Sequence, residues 1–129
     1  MSIGKSSTPL GKVRGLGSAG HGGAHWLHER LVSAALLLLG LWFIVSLLLL
    51  PTLDRTTVVE WLRAPTGAVP MIAFVWLTFD HALDGMQVVI DDYVHDEASR
   101  LLVTGIVKFI GYGALAFALF ALAKIIFGA

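Results

Sequence analysis

The 129-residue sequence contains no cysteine. That excludes a disulfide, a thiolate zinc site, an iron–sulfur cluster held on cysteine and a thiolate-ligated iron, whatever compartment the chain faces. Any metal chemistry rests on its five histidines, three methionines or carboxylates. The chain also lacks a charge of either sign in excess, because nine Lys plus Arg offset nine Asp plus Glu. Without a basic field there is no electrostatic footprint for nucleic acid. Charged residues make up only 14% of the chain, while 57% are hydrophobic and the mean hydropathy is +0.81. This is far from the soluble average and implies residence in a membrane.

Residues 1–24 are rich in Gly and Ser, carry Lys5, Lys12 and Arg14, and have no apolar stretch long enough for the core of a secretory signal. They read as a flexible cytoplasmic tail, followed by a three-helix membrane unit over residues 25–129. The opening is also poor in the Arg-rich amphipathic pattern of mitochondrial presequences, so a bacterial cytoplasmic (inner) membrane is expected in preference to the mitochondrial inner membrane.

From Leu31 to Leu50 runs LVSAALLLLGLWFIVSLLLL, twenty residues without a charge. At about 1.5 Å rise per residue this covers the roughly 30 Å hydrocarbon core. Pro51 ends it, and a polar connection follows in which Val58 to Leu62 can form a turn or two, with Trp61 suited to the headgroup level. Two further apolar stretches complete an all-α membrane protein of three transmembrane helices, with spans at about 29–50, 67–91 and 100–127. The third carries Lys108, near enough to its start to snorkel, and glycines at 105, 111 and 113 where a neighbouring backbone can approach. Lys5, Lys12, Arg14, Arg30 and Arg100 lie on the side of the N-terminus, against Arg55, Arg63 and Lys124 on the other. Five against three places the N-terminus in the cytoplasm.

The second span is interrupted by Asp80, His81 and Asp84. An aspartate at a helix centre costs about 2.5–3.5 kcal/mol on the insertion scale, so this flank cannot face lipid. On an ideal helix with Asp80 at zero, Asp91 falls at about 20°, Asp84 at about 40°, His95 at about 60°, His81 at about 100° and Asp92 at about 120°. The six share one third of the circumference, which must face protein, cofactor or water. A lone buried histidine is commonly a hydrogen-bonded packing residue, but inside a membrane the principal uses are proton relay and haem ligation. No other histidine lies deep in a span, so a bis-histidine haem would need its second ligand from another chain. Met86 lies about 140° from His81 and reads as packing, and the two aspartates read first as interhelical hydrogen-bonding groups.

The segment His81-Ala82-Leu83-Asp84-Gly85-Met86-Gln87-Val88-Val89-Ile90-Asp91-Asp92-Tyr93-Val94-His95 resembles the signature of the succinate dehydrogenase hydrophobic membrane anchor subunits, the smaller of two anchor chains in respiratory complex II. The pattern is a haem-ligating histidine, a glycine four residues on, and an acidic residue followed by tyrosine at the end of the second span; here these are His81, Gly85, Asp92 and Tyr93. Upstream, His25-Trp26-Leu27-His28-Glu29-Arg30 is similar to the family's entry to the first helix, and Trp42-Phe43 is also similar. The resemblance extends over roughly residues 18–129. It implies an anchor that packs with a second, cytochrome b-type anchor subunit and docks a flavoprotein and an iron–sulfur subunit on the membrane, within the tricarboxylic acid cycle and respiratory electron transport. It further implies a haem b shared with the second anchor, with His81 as one axial ligand to the iron and Arg30 and His25 at the propionates. Ubiquinone or menaquinone would be the substrate, met by Tyr93 and Asp92. Asp80 and Asp84 depart from the family pattern. None of these residues is implied to be catalytic for succinate, whose chemistry belongs to the other chains.

Imidazole suits iron, guanidinium matches a carboxylate in a fork, and a phenol donates well to a quinone oxygen. Tyr93 lies twelve residues beyond His81, about 18 Å along a helix, so the two serve separate sites. Alternatives remain at this level: a fumarate reductase anchor, an anchor without haem, or a small proton-conducting or transport bundle using Asp80, His81, Asp84 and Asp91 as a relay.

Overall fold

The computed structural model describes residues 22–128, and within them the chain is four helices with no strand. They are α1 (Gly22–Leu49), α2 (Arg55–Arg63), α3 (Pro65–Tyr93) and α4 (Glu97–Phe127). Residues 1–21, which hold most of the expected tail, lie outside the described residues. Three helices are long and apolar enough to cross a bilayer: Trp26–Leu49, Pro65–Tyr93 and Glu97–Phe127. Their lengths, about 36, 44 and 46 Å, exceed a hydrocarbon core of about 30 Å, so each extends into the headgroup region or tilts.

By its contacts the chain divides between Leu31 and Val32 into two units. In the first, as far as it is described, α1 opens with the Arg30 guanidinium 5.5 Å from the centroid of the Trp26 ring, four residues earlier on the same face. The second unit holds the rest of α1 with α2, α3 and α4.

Within the second unit, the chain leaves α1 at Leu49, two residues before Pro51, which lacks the amide to continue the ladder. Asp54 then caps α2, its carboxylate accepting the Thr57 amide at 2.8 Å, while the Thr52 and Thr57 hydroxyls meet at 3.0 Å. The Thr57 amide holds the Asp54 carboxyl below its ordinary value of 3.8, so this cap is at full strength above that pH and fails as pH falls through the lower folded value. The short helix foreseen near Val58–Leu62 is therefore longer, nine residues, because Asp54 supplies an N-cap upstream. One flank of α2 is pinned by aromatics: Trp61 stacks on Trp42 at 5.7 Å between centroids, Phe43 lies 6.4 Å from Trp61, and Phe43 stacks on Phe74 of α3 at 5.7 Å.

Only Ala64 separates α2 from α3. Its amide is shared between the Glu60 and Trp61 carbonyls, both at 3.2 Å, and Pro65 opens α3 at a position where a missing amide costs nothing. The tight corner requires Gly67, where a Cβ would collide with the Trp61 carbonyl group, coming within 2.9 Å of its carbon. α3 continues through Pro70, which forfeits the bond to the Thr66 carbonyl near the start of the helix.

α3 and α4 form an antiparallel pair. Leu83 and Ile90 of α3 are buried, as are Leu115 and Leu122 of α4, and Leu83 sits where a Cβ on Gly111 would otherwise be. Of the three expected close approaches on the last span, Gly111 makes one, whereas a Cβ on Gly105 or Gly113 would meet nothing within 4 Å. Asp96 caps α4 by accepting the Ser99 amide at 2.8 Å, which also lowers its pKa. At the other end Gly128 adopts φ 72°, and the Arg63 side chain reaches across from α2 to donate Nε to the Ile125 carbonyl at 3.1 Å.

Among the described residues no side chain is fully buried, and large apolar groups such as Leu48, Phe109 and Phe127 are open. In water such a surface would aggregate; in a bilayer it is what lipid and neighbouring helices cover.

The α2–α3 corner predicts a selective sensitivity. Gly67→Ala is expected to destabilise the protein by about 1–3 kcal/mol because the obstacle is backbone and cannot swing away. Gly105→Ala, with open space, should be neutral or slightly stabilising through helix propensity. Unfolding of both variants in mixed micelles measures the difference, and equal stabilities would contradict the packing at the corner.

Candidate functional site on the second membrane helix

α3 is a single helix from Pro65 to Tyr93, so residues along it keep the ideal angular relations. Its packed flank is defined by Leu83 and Ile90, which lie within about 20° of one another around the axis and face α4. His81 lies about 160° from Leu83 and is exposed. Asp92, about 20° from His81, is exposed as well, whereas Asp80 and Asp84 are half-buried between the two flanks. The ionisable arc read from the sequence is thus a real surface of α3, directed away from α4.

One feature of that arc differs from expectation. His95 is not part of it, because α3 ends at Tyr93 and Val94 turns the chain at φ −102° and ψ 97°. The cause is local: Asp96 nucleates α4 from the far side, leaving two residues for the reversal. Met86, outside the arc, is 45% exposed in this single chain and belongs to the apolar surface open to lipid or a neighbouring helix.

Tyr93 is the last residue of α3 and is 78% exposed. Its direction is about 120° from that of His81 and about 100° from that of Asp92. A ligand touching both Tyr93 and Asp92 therefore has to sit across the end of the helix. The chain is helical over all twelve steps from His81 to Tyr93, and the separation of about 18 Å stands.

Gln87 is a site residue that sequence reasoning overlooked. Its side-chain amide donates to Asp91 Oδ1 at 3.1 Å, fixing that carboxylate within the last turn of the helix. Gln–Asp at a spacing of four is a known helix pair, so the signal was available. The Gln87 carbonyl oxygen and the Thr104 hydroxyl of α4 are buried with no hydrogen-bond partner among the described residues. Thr78, two residues before Asp80, satisfies its hydroxyl on the Phe74 carbonyl at 2.7 Å.

Arg30 is exposed in the first unit, its guanidinium on Trp26. The side chain of His25 lies outside the described residues.

A helical membrane subunit of three spans with an ionisable flank on its second span is the class these features define. The comparisons with known proteins make it specific. The model of the succinate dehydrogenase/fumarate reductase transmembrane subunit family matches residues 4–123. A succinate dehydrogenase hydrophobic membrane anchor subunit of Rickettsia bellii is 35% identical over 83 residues, 64% of this chain and 66% of that protein. Its counterparts in Rickettsia conorii and Rickettsia felis are 34% and 33% identical over 84 residues each, 64% of this chain and 67% and 70% of their own lengths. The matched stretches thus span about two thirds of these relatives. No solved structure matches the chain significantly. The chain belongs to the succinate dehydrogenase/fumarate reductase transmembrane subunit family, and its role is that of a membrane anchor subunit.

Proposed function

We propose that this chain is the smaller anchor of a bacterial succinate:quinone oxidoreductase, contributing one face of a haem b site and part of a quinone site. The observation that carries the reading is an exposed histidine, His81, on an ionisable flank of a membrane-crossing helix, in a chain of the anchor family. An open imidazole at that depth needs a partner, since polar groups in hydrocarbon are costly when unmet.

The donor set fits a haem shared between chains. His81 presents one imidazole and no other histidine lies deep in a span, His28 standing at the very start of the first, so a second histidine ligand would come from the second, cytochrome b-type anchor. Arg30, its planar guanidinium already oriented by Trp26, and more weakly His25 would meet the propionates. Haem b, when bound, supplies a one-electron carrier within the membrane. On the chain's side, His81 would hold the ring at the α3 surface, and half-buried Asp80 and Asp84, between that flank and the packed one, would influence its charge balance.

Quinone, ubiquinone or menaquinone, is met at the end of α3. The Tyr93 hydroxyl donates a hydrogen bond to a quinone carbonyl oxygen, and Asp92 orders the polar groups around it. The basic-residue asymmetry puts this end, with the N-terminus, on the cytoplasmic side of the inner membrane, where the flavoprotein and iron–sulfur subunits dock. Succinate itself is oxidised on those subunits, so this chain is not a catalyst alone. A fumarate reductase anchor has the same architecture and falls within the same family description.

His81→Ala is expected to abolish or perturb the low-spin b-type spectrum of the purified complex, while succinate oxidation with an artificial acceptor continues. An unchanged spectrum would contradict the ligand assignment. Tyr93→Phe keeps the ring and removes only the donor. Quinone reduction should fall by up to about 3 kcal/mol, on the order of a hundredfold, at normal haem content and artificial-acceptor activity. Equal quinone activity in mutant and wild type would leave Tyr93 as an interfacial aromatic.

A further inference from the structure

At the membrane end opposite the proposed quinone site, Arg55, Val59 and Arg63 of α2 face Lys124 and Ile125 of α4 and Gly128 across a half-open groove of about 280 Å³. Arg55, Arg63 and Lys124 are all the basic residues that the sequence places at this end of the three spans, and they line one groove. Among the described residues no carboxylate forms an ion pair with any of them, and Glu60 lines, with Thr56, an adjoining groove that shares Arg55 and Arg63.

Helix capping accounts for only part of this cluster. The C-terminus of α4 carries a partial negative charge that attracts cations, and Arg63 Nε does donate to the Ile125 carbonyl. That bond uses one of the five guanidinium N–H donors. The Lys124 carbonyl is already satisfied by the Gly128 amide at 3.1 Å, which makes the helix end less repulsive to an anion. The remaining Arg63 donors, Arg55 and the Lys124 ammonium are left around a space with Val59 and Ile125 as its apolar lining. Trp61, on the same short helix and stacked on Trp42, marks this level as the headgroup region.

We infer that this groove binds the phosphate-bearing headgroup of an anionic phospholipid. Three unpaired cations with apolar side chains between them, at the depth of the lipid headgroups, match a phosphodiester whose acyl chains continue along the apolar surface. The site is distinct from the haem and quinone positions and does not depend on them.

The test is native mass spectrometry of the detergent-solubilised complex, titrated with phosphatidylglycerol and, separately, phosphatidylcholine of the same acyl chains. Phosphatidylglycerol is expected to bind more tightly. The double variant Arg55→Gln/Lys124→Gln spares the Arg63 cap, and should weaken phosphatidylglycerol binding about fivefold per charge removed, roughly 25-fold in all, with no change for phosphatidylcholine. Arg100→Gln, which removes a charge from the other membrane end, should leave binding unaltered. Full phosphatidylglycerol affinity in the double variant, or an equal loss in Arg100→Gln, would overturn the site. Displacement of the lipid by millimolar inorganic phosphate would overturn it in favour of a free-anion site.

Discussion

The need to keep carboxylates and an imidazole out of hydrocarbon governs the arrangement of the second span. Asp80, His81 and Asp84 sit in a helix whose neighbours before and after are apolar, at a cost of about 2.5–3.5 kcal/mol for each central aspartate facing lipid. α4 does not relieve this cost, because it packs on the flank of Leu83 and Ile90. The polar flank of α3 is therefore left outside the α3–α4 packing, which agrees with the proposal that a second anchor and a haem meet it.

The rest of the fold holds that flank in place from one end. α2 is fixed by the Trp42–Trp61 and Phe43–Phe74 stacks, and the Gly67 corner then sets where α3 enters the membrane. Leu83 over Gly111 fixes the rotation of α3 against α4, which determines where His81 points. Arg63, reaching from α2 to the last turn of α4, closes the arrangement at the same end. Few side chains are deeply buried, so these specific contacts carry a larger share of the packing than they would in a soluble domain of this size.

Much of this was legible in the sequence because a bilayer imposes simple rules. Uninterrupted apolar runs gave the spans, Pro51 gave the first exit, and a helical wheel gave the ionisable arc. The errors came where short-range capping decided the outcome. The ideal helical wheel placed His95 on the arc although it lies beyond the expected span of about 67–91, whereas α3 ends at Tyr93 and the Asp96–Ser99 cap starts α4. α2 was underestimated because the Asp54 cap was not weighed against a stretch with several β-branched residues. The convergence of Arg55, Arg63 and Lys124 was invisible because it joins residues about sixty positions apart, and no local pattern encodes it.

The central claim is that this chain completes a haem-bearing anchor with other subunits, and the most direct measurement is affinity isolation of the tagged chain from its native membrane in mild detergent, with the co-isolated chains identified and the visible spectrum recorded. The account predicts a second hydrophobic anchor, a flavoprotein and an iron–sulfur protein together with a low-spin b-type spectrum. A stable, haem-free homo-oligomer with no flavoprotein attached would contradict it.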